Sequence, residues 1–417
     1  MLKNEVAPAV ATQLLEDYRE GSLFFWSSPE RTLLARGVHA RLLSNEHGES
    51  NNFENLPDRV AELLAHTKKS GHDISVVVGA IPFDYTKPSE LIVPMSAEWA
   101  GPLLHNSEIK VNKSLITDYE AQEVPEAAEF AKGVNQVLLR LAQGDVQKVV
   151  LSRSIHITLP TVVDTHGLLR NLAQNNTHGY TFGMSLLNEG VNDSFNRRTS
   201  VNEDPHTLVG ASPELLVKKT GIQIKANPLA GSAARSEDPI EDERRAVALL
   251  ASSKDRHEHA VVVAAVAAAL HPYCKTLVVP DKPSLVQTNT MWHLSTEIVG
   301  DLDDIRTSVL ELAVALHPTP AVCGTPTDLA REVINEIETF DRGFFTGLVG
   351  WCDSNGDGEW AVTIRCAEVA GRSLRLFAGA GIVGGSTGEA ELAETSAKFQ
   401  TLFVAMGLKQ HVDEMGE

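Results

Sequence analysis

Two glutamates and a lysine, Glu391, Glu394 and Lys398, fall at i, i+3 and i+7 in "GEAELAETSAKFQ" and so share one face of a helix. Just before them, "LFAGAGIVGG" spells G-x-G-x-x-G with Gly379, Gly381 and Gly384. Carboxylates so placed can hold a hard divalent cation, while an ammonium beside backbone N–H groups can hold an organic carboxylate. The same face also fits a solvated acidic helix with a Glu394–Lys398 pair. The glycines also match a dinucleotide fingerprint, which demands a second parallel strand bearing an acidic residue about 20 residues on. Here the helix runs to about Leu408 and leaves only "KQHVDEMGE". Glu389, Glu391 and Glu394 would repel a pyrophosphate at the helix start. The dinucleotide reading fails.

A second charged group, Asp255, Arg256, His257, Glu258 and His259, opens the apolar stretch of "SSKDRHEHAVVVAAV". It is not H-E-x-x-H, because Val261 stands where the second histidine belongs, so a zinc protease is unsupported. Charge at a helix start commonly serves capping and solvation. One carboxylate there could also meet the C-terminal helix across space and hold Mg²⁺, which takes one or two protein carboxylates and keeps waters. "DSNGDGE" starts like an EF-hand loop with Asp353, Asn355, Asp357 and Gly358, but its twelfth position is Ile364. Asn-Gly and Asp-Gly between β-like runs predict a hairpin turn instead.

Groups so far apart in sequence need a large scaffold. The chain has 417 residues, 43% of them hydrophobic, enough for a sizeable core. A formal charge of −19 argues against a nucleic-acid surface, though an acidic protein can still hold an anion in a local basic pocket. Cys274, Cys323, Cys352 and Cys366 form no C-x-x-C and no metal-ligand spacing, which reads as reduced thiols. No signal-peptide pattern opens the chain, and "AVVVAAVAAAL" (260–270) is too short to span a bilayer. A soluble, cytoplasmic monomer is expected.

The pattern predicts an amphipathic start over 10–23, a strand in "ISVVVGAIPF", a helix over 128–147 and a strand in "KVVLSRSIHITLP". "YTFGMSLL", "TLVGASPELLVKK" and "GIQIKANPLAG" predict an antiparallel meander. Residues 188–206 are polar and turn-rich and read as a long mobile loop. Helices are expected over 241–270, 308–315, 331–340 and 389–407, a short strand at 276–279, and a hairpin from "FFTGLVGWCD" and "EWAVTIRCAEVA". "SLRLFAGAG" is the last strand. No Pro/Gly/Ser linker divides the chain, so one α+β domain over 1–417 is expected.

Together, "KVVLSR", "GASPELL", "PLAGSAAR", "SSKDRHEH", "WHL", "LHPTPAVCG", "FDRGFFTGLVGWCDSNGDGEWAVTIRCA" and "AGAGIV…ELAETSAK" resemble the ordered motif set of chorismate-utilising enzymes. The match runs from about residue 128 to 407 and is most similar to isochorismate synthases of catechol-siderophore pathways, with residues 1–120 corresponding to a variable N-terminal part. The resemblance implies two large, mainly antiparallel β-sheets packed together and flanked by helices. It also implies Mg²⁺ as cofactor and chorismate, a dicarboxylate, as substrate.

Carried over by motif, Lys148 resembles the general base that activates water for attack at ring C2, and Glu214 the general acid that protonates the departing C4 hydroxyl. Such roles demand a neutral amine and a protonated carboxyl, and burial drives both away from their charged forms. Glu258 and Glu394 match the Mg²⁺ ligands, with Glu391 assisting directly or through water. Gly231, Ser232 and Lys398 match positions around the ring carboxylate, and Arg365 the clamp on the enolpyruvyl carboxylate. Gly379 and Gly381 then become a loop whose N–H groups cradle an anion, and His293 a substrate-lining residue. Ala321 stands where ammonia-using relatives carry threonine, which points to water as nucleophile. The alternatives are a salicylate synthase, which forms isochorismate and then eliminates pyruvate, and a non-catalytic divalent-ion or carboxylate-binding relative. The sequence departs from the family at Leu392, a position commonly aromatic, and in the length of the 188–206 segment.

Overall fold

The strand that begins with Lys148 explains much of the architecture. Lys148–Thr158 is buried along nearly its whole length, so both of its faces must be covered. It pairs antiparallel with Ser373–Ile382, register Val150 to Gly381 and Ser152 to Gly379. Its other edge takes Glu120–Val124 at one end and the short strand Gly324–Thr325 at the other. The computed structural model describes residues 8–19, 22–42, 53–103, 118–176, 178–186 and 206–408. The segment read as a mobile loop therefore lies outside the described residues except for His206, which starts a strand.

Seventeen strands among the described residues join into one antiparallel sheet, and three more form a small second one. The two layers expected from the sequence are limbs of that one curled sheet. One limb holds Val76–Ile81, Leu348–Asp353, Gly358–Val362 and Leu215–Thr220. The other holds Tyr180–Leu186, His206–Ser212, Cys366–Ala370 and Ser373–Ile382. Phe24–Ser27, Thr32–Arg41 and Glu90–Ala100 connect them by hydrogen bonds. Val78, Val349 and Leu215 from the first limb and Phe182, Leu208 and Phe377 from the second share one buried cluster, which is the core between the limbs. Helices cover the outside: Leu56–Lys69, Ser253–Leu270 and Val309–Leu316 on one face, and Pro8–Glu16, Thr165–Asn175 and Gly388–Met406 on another.

The architecture is α+β, as expected, with three local corrections. The expected helix over 241–270 is two, Pro239–Ala251 and Ser253–Leu270. They part at Ser252, whose extended backbone and side-chain cap on the Asp255 N–H start the second helix. "EWAVTIRCAEVA" is not one strand. Gly358–Val362 ends, residues 363–365 carry the chain from one limb to the other, and Cys366–Ala370 begins. The helix expected over 331–340 is Thr327–Ile337.

The hairpin at 353–358 is confirmed. Asp353 Oδ1 accepts from the N–H groups of Asn355 and Asp357, and Asp357 Oδ1 lies 2.8 Å from Lys219 Nζ, so these carboxylates serve the turn. Among the described residues no helix is long and apolar enough to cross a membrane.

Candidate active site

Two crossovers between the limbs deliver two of the candidate residues to one place. Between His206–Ser212 and Leu215–Thr220 the chain passes through Pro213 and Glu214, and between Gly358–Val362 and Cys366–Ala370 it passes through Arg365. Glu214 is buried, with Oε1 accepting from the Leu229 N–H at 3.3 Å. Burial pushes its carboxyl up to about 7, against the pull of that N–H and the charges of Lys148, Arg365 and Lys398.

Arg365 has φ +51°, and Thr346 has φ +61°; among the described residues these are the non-glycine positions in the left-handed region. Both line the same cavity. Backbone held in such a region costs about 1–3 kcal/mol and persists where the surroundings enforce it, often at functional sites. Burial lowers Arg365 to about 10 and holds His293 well below the ordinary histidine value, the latter with help from the Arg365 and Lys398 charges. Arg365 Nη2 and His293 Nε2 are 3.4 Å apart.

These residues share one cavity. Glu214, Glu258 and Glu394 supply its carboxylates, and Arg365 and Lys398 its cations. Gly231, Ser232, His293, Ala321, Gly379 and Gly381 complete the candidate residues on its wall. Two candidates stand behind the wall. Lys148 is fully buried, with Nζ 2.8 Å from Glu258 Oε1. Glu391 is buried and paired with Lys254 at 2.8 Å.

Gly379 and Gly381 belong to the strand Ser373–Ile382, as the strand expected in "SLRLFAGAG" has them, and not to an anion-cradling loop, which corrects that part of the expectation. Its antiparallel pairing to Lys148–Thr158 rules out a βαβ unit here. The physical role of Gly381 is room for charged side chains. A Cβ there would lie 2.2 Å from Glu258 Oε1 and 2.9 Å from Lys148 Cε. At Gly379 a Cβ would lie 2.6 Å from Ser152 Oγ, and the Gly379 carbonyl accepts from Lys398 Nζ at 2.7 Å.

Glu258 comes from Ser253–Leu270, and Glu391, Glu394 and Lys398 come from Gly388–Met406, whose first turn is capped by Thr387. Burial and the neighbouring Glu394 raise Glu391 above the usual carboxylate range. Burial alone would raise Glu394 too, but Lys398, Lys254 and the Ser232 hydroxyl hold it below that range. The donor set of Glu258 and Glu394, hard oxygens facing one cavity, fits a Mg²⁺ that keeps most of its waters. The crowding between Glu391 and Glu394 is what a cation would relieve. Among the described residues no three His, Cys, Asp or Glu side chains meet at metal-ligand spacing, so the fit is to a two-carboxylate site.

Sequence reasoning gave no role to three further buried groups. Arg153, on the same strand as Lys148, donates to Thr395 Oγ1 at 2.9 Å and Ser396 Oγ at 2.6 Å, and pairs with Glu123 at 2.9 Å. It thereby fixes the rotation of the helix that carries Glu394. Glu338 accepts from the Ser152 N–H at 2.7 Å, and Arg342 donates to the carbonyls of Val150 and Val322, each at 2.8 Å. The pair seals the strand edge between Glu120–Val124 and Gly324–Thr325. The i, i+4 spacing in "ETFDR" was the available signal, but it is also the signature of an exposed helix pair.

The chorismate binding enzyme family matches over residues 96–407. The isochorismate synthase DhbC of Bacillus subtilis (strain 168) is 54% identical over 406 residues, covering 97% of this chain and 98% of its own length. The vibriobactin-specific isochorismate synthase of Vibrio cholerae serotype O1 is 38% identical over 414 residues, 98% of each chain. The crystal structure of DhbC from Bacillus anthracis superposes with a TM-score of 0.87 at 50% identity, covering 96% of this chain and 100% of its own.

Proposed function

The chain belongs to the chorismate binding enzymes, and on that premise we propose that it is an isochorismate synthase acting in a siderophore pathway. It converts chorismate to isochorismate. The observation that carries the site assignment is that Glu214, a carboxyl pushed up to about 7, faces one cavity with Glu258 and Glu394, with Lys148 directly behind its wall, 2.8 Å from Glu258. All these residues come from one chain, within the 128–407 part of a single domain.

Lys148 is the base and Glu214 the acid. In its neutral form, with the proton it shares with Glu258 given up, Lys148 takes a proton from water as the oxygen attacks ring C2. The diene shifts, the C4–O bond breaks, and Glu214 gives its proton to the departing hydroxyl, which leaves as water. One water enters and one leaves, so the net change is isomerisation. Lys148 ends as an ammonium and Glu214 as a carboxylate, and solvent restores both. A Glu that keeps its proton near pH 7 is suited to this role in a way an ordinary carboxyl is not.

Arg365 and its neighbour His293 hold the enolpyruvyl carboxylate, while Lys398 and the Gly231–Ser232 backbone flank the ring carboxylate. Glu258 and Glu394 would hold Mg²⁺, with Glu391 behind them, and the ion would supply charge neutralisation at the ring carboxylate. Ala321, on the cavity wall, leaves no hydroxyl where ammonia-using relatives have threonine. Incubation with chorismate and Mg²⁺ followed by chromatography tests the assignment. Isochorismate alone supports it. Salicylate plus pyruvate would assign the elimination as well, and unchanged chorismate would leave a binding protein.

A further inference from the structure

Arg342 lies behind the cavity wall, buried, with the Phe83 ring 4.4 Å from its guanidinium carbon. Arginine carries five N–H donors in a rigid planar fork. Here each of them finds an acceptor. Nε donates to Glu338 Oε2 at 2.8 Å, and Nη2 to Glu338 Oε1 at 2.6 Å. Nη2 also donates to the Val150 carbonyl at 2.8 Å. Nη1 donates to the Val322 carbonyl at 2.8 Å and to Thr346 Oγ1 at 3.2 Å. Arg342 itself is not on the cavity wall, but Val150, Val322 and Thr346 are.

Those three wall residues belong to separate segments. Val150 follows Lys148 by two positions on Lys148–Thr158. Val322 directly follows Ala321 in the turn after the helix Val309–Leu316, and Thr346, with its left-handed φ of +61°, precedes the strand Leu348–Asp353. The strand edge shows why a side chain is needed here. Gly324–Thr325 pairs with Lys148 and Val149, and Glu120–Val124 pairs with 154–158, which leaves the edge open at 150–153. In that gap the Val150 carbonyl accepts from Arg342, and the Ser152 N–H donates to Glu338 Oε1 at 2.7 Å. Another strand would satisfy the same backbone groups but would hold this edge alone. The fork of Arg342 holds three segments at once.

None of its five bonds goes to Arg365, Lys398, Glu258 or Glu394. The Thr346 turn has its own backbone bonds to residue 363, Thr346 N–H to the Thr363 carbonyl and Thr363 N–H to the Gly347 carbonyl, each 2.8 Å. The chain leading into Arg365 is thus held without Arg342. Lys148 is placed differently. A lysine carries its amine on a flexible four-carbon stem, so its working position depends on where the strand puts its backbone. A displacement of about 1 Å at a reacting group can cost about 100-fold in rate.

We propose that Arg342 is the positioning residue of the base: from behind the wall its guanidinium fixes the strand of Lys148 against the Ala321 and Thr346 turns, and so sets how the attacking water meets ring C2. The inference rests on Lys148 being that base.

Arg342→Lys tests it, because an ammonium keeps the charge beside Glu338 but has three donors and no planar fork. With chorismate and the Mg²⁺-loaded enzyme, kcat should fall about 10- to 100-fold. KM, and Mg²⁺ affinity titrated by calorimetry without chorismate, should stay within about twofold, because the groups that hold substrate and ion keep their places. Glu338→Gln keeps one oxygen for the Ser152 N–H and loses the acceptor for Arg342 Nε; it should show the same split at about threefold, and it decides the matter where Arg342→Lys does not fold. Ile224→Ala, at a buried residue of Gln223–Asn227 that is not on the cavity wall, loses packing alone and should keep the parent's kcat and KM. A double-mutant cycle gives the sharpest reading. Added to Lys148→Ala, Arg342→Lys should lower the residual kcat by less than about twofold, since a positioning residue has nothing left to position. An Arg342→Lys enzyme with the parent's kcat, a joint fall of kcat, substrate affinity and Mg²⁺ affinity, or an equal loss with and without Lys148 would overturn the role of Arg342. A parent that leaves chorismate unchanged, or a Lys148→Ala enzyme with the parent's kcat, overturns the assigned base and the inference with it.

Discussion

Glu214→Gln separates what the active-site acid does for the reaction from what it costs the fold. The substitution keeps shape and hydrogen bonding, because an amide oxygen can accept from the Leu229 N–H as Glu214 Oε1 does at 3.3 Å. It removes only the ionisation. In the folded protein burial pushes this carboxyl up to about 7; in an unfolded chain a glutamate titrates near about 4.3. Holding it ionised inside the fold therefore costs about 4 kcal/mol, from that gap at about 1.4 kcal/mol per pH unit. Because the folded value is the higher one, Glu214 contributes its full stability below about pH 4 and loses it as pH rises through about 7. The stability difference between Gln and Glu proteins should thus climb in favour of Gln by up to about 4 kcal/mol between about pH 4 and pH 8.5, then level off. Paired denaturation curves across that range measure it, and pH effects from all other groups cancel in the difference if they are independent of Glu214. In the same variant turnover should fall about 10²- to 10⁴-fold, the usual worth of a positioned proton donor. A stability difference that stays flat with pH, or that shifts in favour of Glu, would refute the buried, protonated carboxyl.

Lys148→Ala should cost a comparable factor of about 10²–10⁴ in kcat. Its Mg²⁺ affinity, read by calorimetric titration, should hold or tighten, because Glu258 is freed from the 2.8 Å ion pair. Gly381→Ala places a methyl 2.2 Å from Glu258 Oε1 and 2.9 Å from Lys148 Cε, both of them buried, so it should lower kcat/KM at least about 100-fold while circular dichroism stays native. Glu394→Gln should weaken Mg²⁺ binding by at least about tenfold in titrations without chorismate, since the amide keeps a neutral oxygen but loses the carboxylate's negative charge.

The antiparallel meander, the 353–358 hairpin and the last strand and helix were legible because alternation, turn residues and capping are local properties. The resemblance named the site residues in order, and the structure brings Glu214, Glu258, Arg365, Glu394 and Lys398 to one cavity. Local patterns could not supply the rest. "EWAVTIRCAEVA" has the composition of a continuous strand, and only the opposed limbs of the sheet force its break and the left-handed φ at Arg365. The glycines of "AGAG" carry the spelling of a loop, and their place opposite Ser152 and Val150 follows from a partner strand more than 200 residues away in the chain. Lys148–Glu258 and Arg153–Thr395 link elements far apart in sequence, so no window on the chain contains either pair.

The central claim is that Lys148, behind the cavity wall, and Glu214, on it, act on one ring, one delivering water to it and the other dismissing a hydroxyl from it. Turnover of chorismate in ¹⁸O-enriched water, followed by mass spectrometry of the product, tests that claim most directly. One heavy oxygen in isochorismate, located on the C2 hydroxyl, is the expected result; isochorismate formed without label would mean that the original hydroxyl migrates within the substrate, and would contradict it.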